Sequence, residues 1–246
     1  MPVTISIITA VYNRAGTVGE ALESVHTQSW PHVEHIVIDG GSTDGTLEIL
    51  RKYDGRLALL VSEPDNGIYE ALNKGLQRAT GEVVGLLHSD DYFAHDRVLE
   101  RVATAFLDPS VDAVYGDLEY VSNKGGRVIR RWRSGGYSYK KVARGWMLPH
   151  PTLYLRRRIY EKWGLYDTSY QIAADYDLML RLFSRASLHP VYIPEVLLKM
   201  RWGGESNRLS RILRKSYEDY LALRRNGVGG VGALCWKNLS KLGQFF

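Results

Sequence analysis

Along residues 1–117 the apolar positions switch repeatedly between two spacings. Short, nearly unbroken apolar runs recur: "TISIIT" (4–9), "VEHIVID" (33–39), "LALLVSE" (57–63), "EVVGLLHS" (82–89) and "VDAVYGD" (111–117). They have the length and β-branched content of buried strands. Between them apolar residues return every three or four positions, as Val18, Ala21, Leu22 and Val25 do in "TVGEALESVHTQ" (17–28). The same spacing marks helices over 42–53, 66–79 and 96–107, with Ser42 or Thr43 as the expected N-cap of the first and Gly81 closing the second. Strands alternating with helices of about 10–15 residues predict βαβ units, and so an α/β fold whose mostly parallel sheet is flanked by helices.

The pattern loosens after Asp117. "DLEYVSNKGGRVIRRWRS" (117–134) reads as a hairpin turning at 123–126, and "PHPTLYLRRRIYEKWG" (149–164) as a strand running into a helix. "AADYDLMLRLFSRA" (173–186) predicts a helix with a broad apolar face, and "HPVYIPEVLLKMRW" (189–202) an extended segment. A second amphipathic helix is expected over 208–225, with Leu209, Ile212, Leu213, Tyr217, Tyr220 and Leu221 as its stripe, before the glycine-rich 226–234. The division expected is one domain over 1–207, split into halves 1–117 and 118–207, with 208–246 as a basic C-terminal extension.

Composition narrows this picture. The 246 residues, 45% of them hydrophobic, suit one large domain or a domain with an appendage. No run approaches the roughly 18 apolar residues that span a bilayer. The opening "MPVTISIITAVYNR" lacks a basic region before its apolar run, so it reads as a first strand and not a signal peptide. Cys235 is the single cysteine, which fits a reducing compartment and a cytoplasmic location. Charge is divided: residues 1–116 hold 8 Lys+Arg against 17 Asp+Glu, and residues 117–246 hold 24 against 10. The basic half implies an anionic partner: phosphate, membrane surface or nucleic acid. The acidic first half and the lack of any nucleic-acid-binding motif turn that reading away from nucleic acid.

Carboxylates gather where an open parallel sheet binds ligands, beyond the carboxyl ends of its strands. Asp39 follows "HIVI", Asp65 lies past "LALLVSE", and the pair Asp90–Asp91 ends "VVGLLHS". Crowded acids repel unless a cation joins them, and a divalent ion held by hard oxygens also accompanies diphosphates. The alternative for the pair is capping of the following helix. Asp175, at the start of a helix, reads as a cap, with the helix dipole and burial tuning its ionisation in opposite directions. Asp177, two residues on, reads as a solvated helix residue. His150, between two prolines, would line a ligand pocket, touch a metal or diphosphate, or be a buried structural histidine. Tyr137, Tyr139, Trp146, Trp163 and Trp202 offer faces on which a ring-shaped ligand stacks or a core is built.

Taken together, "ISIITAVYNR", "HIVIDGGSTDGT", "NGIYEALNKGLQRATGEVVGLLHSDD" and "AADYDLMLRL" resemble, in order and spacing, the family 2 glycosyltransferases of the GT-A fold. The likeness is to the bacterial polysaccharide and O-antigen sugar transferases and runs over roughly residues 3–205. It implies a nucleotide-diphosphate sugar donor, with UDP the commonest base, a divalent metal (Mn2+ or Mg2+), and inverting transfer to a saccharide or lipid-linked saccharide. Carried over, Thr9, Ala10 and Tyr12 would edge the nucleotide site and Asp39 would bind the base. Asp90 and Asp91 would match the metal and diphosphate motif, with Asp91 as direct ligand, and Asp175 the catalytic base. Arg201, in "RWGGESN" (201–207), would approach the diphosphate. The chain departs from the family where it has Ala10 and Val11 for proline and threonine, Gly40 for a second aspartate, His88 for a carboxylate, and Ala174 before Asp175. A nucleotidyltransferase, the rival enzyme class, usually carries a glycine-rich basic loop directly after its first strand; "TAVYNRAG" does not supply it. Residues 208–246 carry 8 basic and 2 acidic residues, and Trp236, Phe245 and Phe246 sit among lysines. That mix suits an anionic membrane surface, the inner face of the cytoplasmic membrane, unless the helix packs on the domain.

Overall fold

The computed structural model describes residues 2–123, 126–185, 187–203, 209–230 and 232–234. Its centre is β1 (Ile5–Val11), all seven residues of which are buried. Helix α1 (Val18–His26) leads to β2 (Val33–Asp39), and α2 (Thr46–Arg51) to β3 (Leu59–Ser62). Helix α3 (Ile68–Arg78) leads to β4 (Val83–Leu86). Strands β2 and β4 flank β1 on either side, both parallel to it, and β3 adds to β2 in parallel. Side chains alternate across this sheet as the pleat requires. Ile8, Ala10, Ile36 and Ile38 join Leu72 and Leu76 of α3 on one face. Ile5, Ile7 and Val83 join the helix α4 (Val98–Ala105) on the other. Helix α3 lies so close to β1 that a Cβ at Gly75 would come within 2.4 Å of Ile8 Cγ2. Only glycine admits that approach.

The parallel order ends at β4. The short β8 (Tyr154–Arg156) pairs antiparallel with both β4 and β6 (Ala113–Val121), and β9 (Pro190–Arg201) runs parallel to β6. The full order is β3-β2-β1-β4-β8-β6-β9-β5, with β7 (Val128–Trp132) on β6. Strand β5 (Tyr92–Phe93), directly after the aspartate pair, has no apolar pattern of its own; it exists because β9 pairs with it. Strand β6 runs four residues past the expected end at Asp117 and forms the hairpin with β7, part of whose turn lies outside the described residues. Helices α5 (Tyr139–Ala143) and α6 (Arg157–Trp163) precede α7 (Ala174–Arg185). On α7 the five expected apolar residues, Tyr176, Leu178, Met179, Leu180 and Leu182, are all buried.

Two expectations need correcting. Helix α2 starts at Thr46 behind Gly45, not at Ser42 or Thr43. The Ser42 hydroxyl donates to Asp39 instead, and the Thr43 N–H to Asn13 Oδ1. Of the two readings open for helix α8 (Leu209–Arg225), the structure has it packed on the domain: Ala222 and Leu223 are fully buried in the main core, joined past the helix by Val228 and Ala233. Tyr217, expected on the apolar stripe, is 63% exposed, because the face turned inward is that of Glu218, Asp219, Ala222 and Leu223. The side chains of 209–213 and the aromatic-basic end, 235–246, lie outside the described residues. Among the described residues no helix is long and apolar enough to cross a membrane.

A candidate active site at the carboxyl ends of the central strands

The loops after β1, β2 and β4 are sewn together by side chains that the apolar pattern does not mark. The Asn13 N–H donates to Ser42 Oγ at 2.8 Å, the Arg14 N–H to Thr46 Oγ1 at 2.7 Å, and the Ala15 N–H to Asp44 Oδ2 at 3.1 Å. Asn13 takes a positive φ of 51° to make the corner, a conformation asparagine tolerates better than most residues. Thr17 Oγ1 then donates to the Ser89 carbonyl at 2.9 Å, tying the β1 loop to the β4 loop. Of the residues expected along the nucleotide edge, Tyr12 is 59% exposed and Ala10 is buried. Thr9 turns its hydroxyl into the sheet, 3.0 Å from His35 Nε2, so it borders the crevice with its backbone only.

Asp39 ends β2 fully buried. Its carboxylate accepts the Ser42 N–H, the Ser42 hydroxyl and, at 2.6 Å, the Ser62 hydroxyl. Asp65 closes over the adjacent Gly40: a Cβ there would lie 2.7 Å from Asp65 Oδ2. Asp65 Oδ1 also accepts the Gly67 N–H at 2.9 Å. The two acids thus reach one corner from different loops, as their place beyond the strand ends requires.

The Asp90–Asp91 pair sits in a tight turn closed by the Asp91 N–H on the His88 carbonyl at 3.0 Å. It caps no helix, since α4 begins at Val98 behind Arg97. Asp91 is 1% exposed. Its Oδ1 accepts the Arg201 N–H at 3.3 Å, while Oδ2 is buried without a hydrogen-bond partner among the described residues. Burial first, then the neighbouring Asp90, push this carboxyl well above the usual range; the Arg201 contacts only partly oppose them. Asp90 is half-buried, with Arg14 Nε 3.9 Å from its Oδ2. Arg201 braces the turn from β9. Its guanidinium donates to the Asp90 carbonyl at 2.7 Å, pairs with Glu20 and lies over the Tyr92 ring. The side chain expected at a diphosphate is thus engaged with the protein.

Asp175 lies in the first turn of α7, and His150 meets it there: Nδ1 stands 2.9 Å from Asp175 Oδ2. A carboxylate only accepts, so His150 carries its proton on Nδ1. Its Nε2 faces His88 Nε2 at 3.4 Å. In a neutral His150 ring that nitrogen accepts, so His88 donates and its own buried Nδ1, which has no partner among the described residues, is an acceptor. Burial, and then His150, hold the His88 imidazole down at about 4, so it is neutral at pH 7. The Tyr69 hydroxyl reaches across from α3, 3.2 Å from Asp175 Oδ1 and 2.7 Å from the Ile172 carbonyl. Its own ionisation is pushed far up by burial and by Asp175. The histidine at the family's carboxylate position is therefore the link between the β4 turn and Asp175. Tyr69, Ser62 and Arg14 were missed in the sequence; nothing in a periodic apolar pattern singles them out.

Asp177 differs from its expected place at the helix surface. It is 6% exposed, bonded by Asn226 Nδ2 at 2.8 Å and near Arg181. The turn after α8 packs over α7 and takes the face that would otherwise be solvated. Among the aromatics, Trp146 donates to the Ser134 carbonyl and Tyr137 to the Phe183 carbonyl, which makes them structural. Tyr139 and Trp202 remain exposed.

A divalent ion fits the pair in one respect: the buried Asp91 Oδ2 is a hard oxygen lacking a partner among the described residues. Among the described residues no group of three acidic, histidine or cysteine side chains could hold an ion unaided, so a bound diphosphate and water would have to complete its coordination.

The chain matches the family model described as Glycosyl transferase family 2 over residues 6–173. It is 32% identical over 211 residues to a PGL/p-HBAD biosynthesis glycosyltransferase of Mycobacterium bovis, covering 83% of this chain and 79% of the relative. Among solved structures it is similar to the mannosyltransferase PcManGT from Pyrobaculum calidifontis in complex with GDP-Man and Mn2+. The TM-score is 0.70 at 22% identity, over 96% of this chain and 69% of that one. It is also similar to S. aureus TarS 1–349 in complex with UDP-GlcNAc, with a TM-score of 0.65 at 22% identity, over 92% and 66% of the two chains. Against another S. aureus TarS crystal structure the match spans 39% of that chain. At such identities the structural likeness establishes the GT-A fold.

Proposed function

The chain belongs to glycosyl transferase family 2 and is a glycosyltransferase, and from that premise we propose that it is an inverting enzyme. It moves a sugar from a nucleotide-diphosphate donor, with UDP as the base, to a saccharide or lipid-linked saccharide acceptor in surface polysaccharide biosynthesis. The observation that carries the reading is the placement of Asp175. One oxygen is held by His150 Nδ1–H and the other lies 3.2 Å from the Tyr69 hydroxyl, and the histidine contact continues through His88 to the turn of Asp90 and Asp91.

In this reading Tyr12 and the backbone at Thr9 and Ala10 border the nucleotide, and Asp39 and Asp65 meet the base and ribose. Asp39 is already anchored by Ser42 and Ser62, so it presents a fixed acceptor and does not have to be ordered when the donor binds. Asp91 and Asp90 would hold Mn2+ or Mg2+, which when bound supplies positive charge for the departing diphosphate. The acceptor hydroxyl then attacks the anomeric carbon from the face opposite the diphosphate. Asp175 takes its proton as the new bond forms and the bond to the diphosphate breaks. The His150 Nδ1–H keeps the carboxylate aimed; a base so placed contributes roughly 10²–10⁴-fold.

The test is Asp175→Asn, measured as transfer rate beside donor affinity. Loss of about 10²–10⁴ in rate with affinity retained is expected. A rate near that of the unaltered chain overturns the assignment and moves the base to His150. Membrane attachment through 235–246 belongs to the same proposal: a lipid-linked acceptor would be met at the inner face of the membrane.

A further inference from the structure

The inward face of α8 carries a carboxylate that the chemistry above does not use. Glu218 is 6% exposed. Its Oε2 accepts the Ile172 N–H at 2.8 Å and the Ala173 N–H at 3.0 Å. Its Oε1 accepts the Gln171 N–H at 3.3 Å and Arg214 Nε at 3.2 Å. Three consecutive backbone N–H groups thus converge on one side chain that is more than 40 residues away in sequence. They form the entry to α7: the Asp177 N–H returns to the Ala173 carbonyl at 2.9 Å, which makes Ala173 the cap residue and places Asp175 in the first turn. A carboxylate at this end of a helix is favoured by the dipole and by the cluster of N–H groups together. The Tyr69 hydroxyl grips the same segment from the opposite side, through the Ile172 carbonyl at 2.7 Å.

We propose that Glu218 is a positioning residue for the transfer step, fixing the entry to α7 so that the Asp175 carboxylate meets His150 and Tyr69. The inference rests on the reading of Asp175 as the base. Its physical ground is the cost of the alternative. Ala173 is fully buried, so its N–H has no water to turn to if Glu218 is lost, and an unpaired buried donor drives the backbone to move. Asp175 is two residues further on, and a displacement of about 1 Å at a catalytic group can lower a rate by about 10²-fold. Glu218 also lies well beyond residue 173, where the family model ends, so the family match does not assign it.

The experiment compares Glu218→Gln, Asp175→Asn and the double variant, with Arg214→Gln as a control that leaves the three N–H contacts in place. Glutamine has the shape of glutamate but turns one acceptor oxygen into a donor facing N–H groups. The first readout needs no acceptor: the proton NMR signal of the His150 Nδ1–H bonded to Asp175. It should move or vanish in Glu218→Gln and in Asp175→Asn, and stay in Arg214→Gln. The second is transfer from UDP-GlcNAc or GDP-Man, with Mn2+, to phenyl glycosides. Glu218→Gln should lower kcat about 10- to 100-fold with donor KM unchanged, and the double variant should be no slower than Asp175→Asn. Three results would overturn the proposal: an unmoved His150 signal in Glu218→Gln, a raised donor KM as its main defect, or losses that multiply in the double variant. The base reading fails separately, if Asp175→Asn alone keeps its rate. If Glu218→Gln does not fold, Glu218→Asp keeps the charge, withdraws it by one methylene and faces the same readouts.

Discussion

The two halves of the site are built in different ways. Around Asp39 the partners come from close by, at the ends of β2 and β3: Ser42 three residues on and Ser62 one strand over, with Asp65 beside the next residue, Gly40. Around Asp175 they come from three elements far apart in the chain, namely Tyr69 on α3, His150 ahead of β8 and Glu218 on α8. The Asp39 side, proposed to take the nucleotide, is a local construction on a parallel sheet, and the Asp175 side, proposed to supply the base, is a tertiary one. Changes far along the chain should therefore reach catalysis through Asp175 while leaving Asp39 undisturbed.

The strongest test of that contrast is on the nucleotide side. Asp91→Ala should abolish the part of UDP binding that depends on Mn2+ or Mg2+. At a ligand concentration 100 times its Kd this is a loss of about 2.7 kcal/mol of stabilisation, read as the vanished metal-dependent shift in melting temperature. An unchanged shift would remove Asp91 from the donor site. On the base side, Asp177→Ala should cost about 1–3 kcal/mol in denaturant unfolding, because Asn226 loses a buried partner. Donor affinity should be unaffected; if it falls, the halves are not independent.

A third measurement separates them by pH. Buried His35, behind the nucleotide loops, is held down to about 3 by burial and then by His26. The unfolded chain titrates it near 6.5, so below that value the unfolded state binds the extra proton. The contribution of His35 is therefore full above pH 6.5 and should be lost at up to about 1.4 kcal/mol per pH unit on the way down to about 3. His35→Gln should flatten this slope in denaturant unfolding between pH 7 and pH 5, and an equally steep slope would refute the assignment. The smallest effect is expected at the tail. A chain ending at Leu234 keeps the buried Val228 and Ala233, so it should bind donor as the full chain does and lose only its retention on anionic vesicles.

The same contrast explains what the sequence revealed. The parallel core was legible because each strand and helix carries its own apolar period, as Val18, Ala21, Leu22 and Val25 do on α1. Asp39 and the aspartate pair could be found because strand ends are visible in that period. Strand β5 could not, since two residues have no period and pairing with β9 alone creates it. Asp177 and Tyr217 were placed on the wrong faces because α8 buries polar groups: Glu218 and Asp219 turn inward to serve α7 and their own helix, which no hydrophobicity pattern foretells. Whether Asp90 or Asp91 capped a helix depended on where α4 begins, and "DYFAHDR" offers several acceptable starts.

Gly40 stands where the resemblance to the family leads us to expect a second aspartate, and in this chain its missing side chain is the space that Asp65 fills. The two positions therefore compete for one volume. A side chain at 40 would meet the far end of the Asp65 carboxylate, which would have to swing away to admit it. A redesign toward a different donor therefore does best to vary residues 40 and 65 together, since a carboxylate delivered by the strand end displaces the one delivered by the next loop.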